Sequence, residues 1–303
     1  MSLNLSGLLL PVTTPFKPDQ EIDFQGLQKN LKAWNTAGLT GYVVLGSTGE
    51  RVLLDEREYV EVIAAAREVV PGTHTFIAGA GQQSTHGTIA EIKRATDAGA
   101  DAVLVITPNF YRSAITPHAL LEHYAAVADA SPVPVILYSM PDLTGIKIEP
   151  ETAALLSQHP HIVGMKDSSN DIEKFAETVR VTREGFAMMI GNGTVFADAL
   201  QAGAEGGILA VGCAAPELCL EIFLAVRAGE IDHAQALQTR LTPLARAVTK
   251  TYGIGGLKTA MEMAGYTGGA VRAPLQRPGS EATAEINKLL NEAIGTLEAA
   301  ISE

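Results

Sequence analysis

Lys166 closes the apolar run Ile162-Val163-Gly164-Met165 and is followed by Asp167-Ser168-Ser169. An amine at the end of such a run is partly removed from water, which disfavours the ammonium and leaves a nucleophile for a carbonyl carbon. The iminium so formed is an electron sink for making or breaking a carbon–carbon bond. Taken alone, the residue also fits a lysine that marks a strand end and pairs with Asp167 or another acid. Tyr138 closes a neighbouring run, where its phenol can shuttle protons for carbinolamine dehydration and for a substrate hydroxyl. A core tyrosine with a satisfied hydroxyl fits equally well. The segment Gly46-Ser47-Thr48-Gly49-Glu50 offers two hydroxyls and closely spaced backbone N–H groups, suited to holding a carboxylate. The plain alternative is a turn with Ser47 or Thr48 capping a helix. No Gly-Lys-Ser/Thr follows, so it is not a phosphate loop of the Walker type.

Other chemistries have less behind them. The seven histidines show no metal-ligand spacing on one helical face, which disfavours a metal-dependent aldolase, and no cofactor is expected. Gly253-Ile254-Gly255-Gly256 lacks the third glycine of a dinucleotide fingerprint and follows no strand, so it reads as a helix break. A formal charge of −12, with no basic patch or tail, argues against a nucleic-acid or membrane-surface partner. An acidic substrate then needs local donors that outweigh the global field. Cys213 and Cys219 have no disulfide or C-x-x-C spacing and read as reduced core thiols. The N-terminal apolar stretch is too short for a signal or a membrane span, so a cytoplasmic protein is expected.

Placing these groups together requires a repeating scaffold. Ala37-Gly38, Ala98-Gly99 and Ala202-Gly203 each close a helical pattern and precede an apolar run. Glycine at a helix end accepts positive φ at little cost. Asp55 with Glu58 has the form of a capping box, Thr116-Pro117 pairs an N-cap with a first-turn proline, and Pro150 opens another helix. Eight runs read as parallel strands covered on both faces: Leu8 to Val12, Tyr42 to Leu45, Thr75 to Ala78, Ala102 to Ile106, Val133 to Tyr138, Ile162 to Lys166, Ala187 to Ile190 and Gly207 to Val211. The expected fold is an α/β (β/α)₈ TIM barrel over residues 1–225, with a C-terminal helical region, 226–303, packed on it. An open doubly wound sheet is the alternative that periodicity leaves. Barrel active sites lie at the C-terminal strand ends, which here carry Ser47-Thr48, Thr107 to Arg112, Tyr138 to Gly145, Lys166 to Ser169 and Gly191 to Thr194.

In that order and spacing, these clusters resemble the pyruvate-dependent lysine aldolases and lyases, the family that contains dihydrodipicolinate synthase and N-acetylneuraminate lyase. The resemblance runs from Gly7 to Phe16, through the Gly-Ser-Thr-Gly-Glu loop, to the tyrosine of strand five and the lysine of strand six. It implies that Lys166 is the imine lysine and Tyr138 the proton-relay tyrosine. Ser47 and Thr48 become the hydroxyl pair that assists the relay and binds pyruvate's carboxylate, while Gly191 and Ile208 line the pyruvate pocket. The family's second relay tyrosine falls on Phe110, so the role passes to its neighbour Tyr111, with a partner site across a subunit interface. A homotetramer built from dimers is implied as well.

Synthases of the lysine pathway carry an arginine at the position of Leu143, and this departure counts against that reaction. Ser157-Gln158-His159-Pro160, Gly164-Met165-Lys166-Asp167-Ser168, Gly255-Gly256-Leu257-Lys258 and Arg272-Ala273-Pro274-Leu275-Gln276 are most similar to 4-hydroxy-2-oxoglutarate aldolase. The implied activity is cleavage of that acid to pyruvate and glyoxylate, with Ser168 and Leu143 near the aldehyde half. The synthase reaction with aspartate semialdehyde and a sugar-acid aldolase are the alternatives within the family. A non-catalytic 2-oxo acid sensor is the alternative of another kind.

Overall fold

The computed structural model describes residues 3–301, with side chains as far as residue 295. Eight parallel strands form one closed barrel in sequence order: β1 (Gly7–Pro11), β2 (Gly41–Val44), β3 (Thr75–Ala80), β4 (Ala102–Ile106), β5 (Val135–Ser139), β6 (Ile162–Asp167), β7 (Ala187–Ile190) and β8 (Gly206–Ile208). β8 pairs with β1 and leaves no open edge, so the open-sheet alternative is excluded. The eight expected runs are the eight strands, because a strand buried on both faces must be apolar throughout. Their ends differ where backbone chemistry intervenes. β5 begins at Val135, since Pro132 and Pro134 have no N–H to give the ladder. β8 stops at Ile208 because the chain tightens into a 3₁₀ turn at Ala210–Cys213.

Between and around the strands lie α1 (Phe24–Trp34), α2 (Glu56–Arg67), α3 (Thr85–Asp97), α4 (Pro117–Ala130), α5 (Pro141–Thr144), α6 (Pro150–Leu156), α7 (Ile172–Val181), α8 (Phe196–Gln201) and α9 (Pro216–Arg227). The capping box of Asp55 and Glu58 is formed, and Thr116 caps α4 ahead of Pro117. Gly38, Gly99 and Gly203 all take positive φ, as their place at helix ends requires. Beyond α9 run α10 (Ile231–Arg246), a π-helical turn (Ala247–Thr251), α11 (Gly253–Met263) and α12 (Ser280–Ile301). Of the expected break at Gly253 to Gly256 only the start is realised: the chain bends at Tyr252, and α11 begins at Gly253, at φ 56°, and continues through Gly255 and Gly256. Gly255 lies inside α11, where a Cβ would overlap the carbonyl oxygen of Gln276, so glycine admits a returning chain. Both cysteines are buried free thiols. Among the described residues no helix is long and apolar enough to cross a membrane.

Two cores divide the apolar side chains. Leu9, Val43, Ile77, Leu104, Ile136, Tyr138, Met189 and Ile208 fill the barrel interior, and the alternating outward set packs under the helices. One polar group in the helical layer is poorly placed for charge. His123 of α4 is buried with Nδ1 2.9 Å from Thr85 Oγ1 and no partner for Nε2, and burial pulls its imidazole down to about 4. The unfolded chain therefore takes up this proton first as pH falls below the ordinary 6.5. Stability from this site is complete above that value and is lost progressively towards the folded-state value. Between pH 7 and pH 5, denaturant unfolding should show the native protein losing about 2 kcal/mol relative to His123→Gln. Parallel pH profiles for the two proteins would show that His123 carries no such linkage.

Candidate active site

The register of β5 on β6 sets Tyr138 beside Lys166, and β7 sets Met189 on Lys166's other side. Adjacent residues in a parallel ladder share a face, so all three point into the barrel. Lys166 is 4% exposed, and its Nζ stands 4.5 Å from the centroid of the Tyr138 ring. Among the described residues no carboxylate lies within 4.0 Å of that amine. Asp167, the partner that the plainer reading gave it, belongs to the opposite face. There it accepts from Ser169 N at 2.8 Å and Ser169 Oγ at 3.1 Å, while burial pushes its carboxyl above the usual range.

The second buried lysine shows what a structural one needs. Lys258 of α11 is wholly buried, and its Nζ donates to the carbonyls of Thr14 at 2.7 Å and Ala270 at 2.6 Å, with Glu50 Oε1 at 2.5 Å. Burial pulls its amine down to about 8 against the opposing pull of Glu50. Three acceptors surround it, so its charge is accounted for. Lys166 has the burial without the acceptors, which is the arrangement of a reagent.

The loop after β2 is held in an unusual shape. Leu45 and Glu50 both have positive φ, near 55° and 57°. A Cβ on Gly79 would overlap Leu45's carbonyl oxygen, so only glycine lets β3 pass beneath the turn. Glu50 fixes the far end through Lys258 and by accepting from Arg272 N at 2.9 Å. Arg272 in turn makes a two-pronged pair with Glu58, at 2.6 and 2.8 Å. So anchored, the loop sets Ser47 Oγ 3.1 Å from Tyr138 Oη. Neither Ser47 nor Thr48 caps a helix; Asp55 does that for α2.

These side chains line one cavity of about 910 Å³ at the C-terminal end of the barrel, together with Thr48, Leu143, Ser168, Gly191 and Ile208. A smaller cavity of about 300 Å³, beside Arg51 and Glu91, contains none of them. Gly191 is required by close packing, since a Cβ there would overlap Ser168 Oγ and come 2.5 Å from Lys166 Cε. Leu143 stands at the mouth and is 59% exposed. Tyr111 is not brought to the site: it is 70% exposed, stacked edge-on against Phe110, and absent from the cavity wall. Among the described residues no cluster of three metal-ligating side chains forms.

Sequence reading missed part of the wall. Arg246, Thr249, Lys250, Gly253 and Ile254 reach it from the C-terminal helices, whereas Asn192 and Thr194 come from the expected rim cluster after β7. The only available signal was their spacing of three and four residues, which puts 246, 249, 250, 253 and 254 on one helical face. Apart from the reacting amine, the charged groups of the wall are Arg246 and Lys250 against Asp142, a positive balance in a chain of net charge −12. Such a cavity concentrates small anions.

Two changes test this construction. Gly191→Ala should leave a folded protein whose Lys166 is displaced, with imine formation slowed about tenfold or more; unchanged rates of amine modification by a 2-oxo acid would contradict it. Glu50→Gln strands the Lys258 charge and should cost about 3–5 kcal/mol in urea unfolding. The double variant Glu50→Gln, Lys258→Met should recover much of that loss.

Comparison with known proteins agrees with this site. The Dihydrodipicolinate synthetase family matches residues 4–293. The chain is 34% identical over 287 residues to the 4-hydroxy-tetrahydrodipicolinate synthase of Methanoculleus marisnigri, covering 94% of this chain and 98% of the relative. Among solved structures, a dihydrodipicolinate synthase from Bacillus anthracis superposes with a TM-score of 0.91 at 28% identity, covering 96% and 99% of the two chains. A prophage protein of E. coli K12 from the dihydrodipicolinic acid synthase family, solved in complex with pyruvate, gives 0.90 at 25% identity, covering 95% and 98%. The chain belongs to the dihydrodipicolinate synthetase family, whose members are Schiff-base-forming, pyruvate-dependent lyases and synthases.

Proposed function

We propose that this protein cleaves 4-hydroxy-2-oxoglutarate to pyruvate and glyoxylate through an imine on Lys166. The observation that carries the pyruvate chemistry is a buried amine without a carboxylate, set over the ring of Tyr138, whose hydroxyl is hydrogen-bonded to Ser47 in the same cavity. The amine adds to the C2 carbonyl, and the carbinolamine loses water with a proton delivered by Tyr138. The relay then removes the C4 hydroxyl proton. The C3–C4 bond breaks with its electron pair passing to the iminium nitrogen, C4 leaves as the aldehyde carbon of glyoxylate, and an enamine remains. Protonation at C3 and hydrolysis release pyruvate and restore the amine. Thr48 and the β2 loop hold the C1 carboxylate, Gly191 and Ile208 bound the methyl side, and Ser168 and Leu143 border the departing half. What supports this reading over the synthase reaction is the departure at Leu143, where the lysine-pathway enzymes carry an arginine; both substrates bear a distal carboxylate, so Leu143 does not itself select between them.

A second reading has an observation of its own. The curated relative described above is named a 4-hydroxy-tetrahydrodipicolinate synthase, which supports condensation of pyruvate with aspartate semialdehyde on the same imine. By name, sequence similarity lends that reaction more support than it lends cleavage. Tyr111 enters either scheme only from a neighbouring subunit, and its exposed pairing with Phe110 suits an interface in a homotetramer.

Borohydride reduction in the presence of pyruvate should inactivate the protein and place one adduct on the peptide bearing Lys166. Lys166→Arg should give neither adduct nor turnover, and activity surviving in that variant would overturn the imine. Tyr138→Phe should lower kcat by about 10²–10³-fold. Parallel assays with 4-hydroxy-2-oxoglutarate and with aspartate semialdehyde plus pyruvate choose between the two reactions. Turnover confined to the semialdehyde would establish the second.

A further inference from the structure

Arg246 is a cation with no carboxylate assigned to it. It lines the same cavity as Lys166, and among the described residues no acid lies within 4.0 Å of it. The other mouth cation, Lys250, is engaged by Asp142 at 3.4 Å. An arginine in the last turn of a helix often serves to complement the helix dipole. Here the chain does not end its helical course at residue 246 but continues through the π-helical turn to Thr251, so the free carbonyls lie beyond it. A π-helical insertion shifts the register of side chains on the face it interrupts, and such turns collect at functional sites.

The placement of Arg246 follows from its helix. Gln238, Thr242 and Arg246 recur every four residues and so share one face of α10. Gln238 grips the segment after β7, donating to Gly193 O at 2.9 Å and accepting from Ala197 N at 2.9 Å, while Thr242 Oγ1 accepts from Gln238 at 3.0 Å and donates back to Gln238 O at 2.7 Å. Arg246 stands one turn further along and lines the same cavity as Asn192 and Thr194. Asn192 Oδ1 is committed, accepting from Thr194 N at 3.0 Å and Thr194 Oγ1 at 2.8 Å. That orientation leaves the Asn192 Nδ2 donors uncommitted in the cavity wall. A guanidinium and an amide that share a cavity and lack acceptors form a donor pair suited to a carboxylate.

We propose that Arg246, oriented through the α10 contact with the β7 loop and assisted by Asn192, binds the distal carboxylate of the substrate. It is thereby the residue that selects an acidic aldehyde half over a neutral one. The inference rests on the Lys166 imine and deepens it, since it assigns the charge that Leu143 cannot supply. It applies to either aldehyde acid considered above, because both carry a carboxylate away from the reacting carbon.

A probe that needs no aldehyde isolates the effect. 2-Oxoglutarate and 2-oxopentanoate have the same chain and the same reacting carbonyl, and only the first bears a distal carboxylate. Their half-saturating concentrations for borohydride trapping on Lys166 should favour 2-oxoglutarate in the unaltered protein. That preference should fall about 30-fold in Arg246→Ala and be partly kept in Arg246→Lys. Asn192→Ala should lower it by a smaller factor. An equal preference in the unaltered protein and in Arg246→Ala, or none in the unaltered protein, would overturn the assignment of Arg246 while leaving the imine standing. Failure of pyruvate itself to trap would instead overturn the Lys166 reading beneath it.

Discussion

The chemistry of this protein depends on keeping one amine inside a barrel without giving it an acid. An ammonium removed from water is costly unless acceptors replace the lost hydration. The chain meets that demand fully at Lys258 and not at all at Lys166, although the two are buried to a similar degree. The apolar residues beneath Lys166 and the Tyr138 ring beside it form a floor and wall that offer no acceptor. The barrel makes this tolerable because the amine sits at the open end, where a carbonyl compound can arrive and consume it.

The rest of the mouth follows from holding that amine in register with its helpers. Parallel pairing of β5 with β6 brings Tyr138 to Lys166 without any side-chain device. Ser47 is harder to place, because it lies on a loop with two residues in left-handed backbone conformations. Strain of this kind persists only where the surroundings over-determine the backbone. Here the surroundings are the bare face of Gly79 below and the Glu50, Lys258 and Arg272 cluster at the loop's end. The C-terminal helices are therefore part of the site twice over, as the anchor of the β2 loop and as the wall that carries Arg246 and Lys250.

Electrostatics divides in the same way. The molecule as a whole is strongly acidic, which repels anions at a distance. The cavity reverses that sign locally, with Arg246 and Lys250 against one carboxylate besides the reacting amine. Inside a partly water-excluded mouth such local charges outweigh a diffuse surface field, which salt screens over a Debye length.

The strands, their order and the identity of the rim clusters were legible in the linear chain, because burial on both faces demands unbroken apolar runs and helix ends demand glycine. Lys166 and Tyr138 could be singled out because each ends such a run, and the resemblance supplied their roles. What the linear chain could not decide was which way residues point and what comes back to meet them. Whether Lys166 pairs with Asp167 turns on the alternation of a strand, which sends neighbours to opposite faces. That Tyr111 lies outside the cavity, and that Arg246 lies on its wall, depends on how loops and a distant helix pack over the barrel. Contacts between residues a hundred positions apart leave no periodic trace in sequence, so only the closed barrel and the helices folded across its mouth determine them.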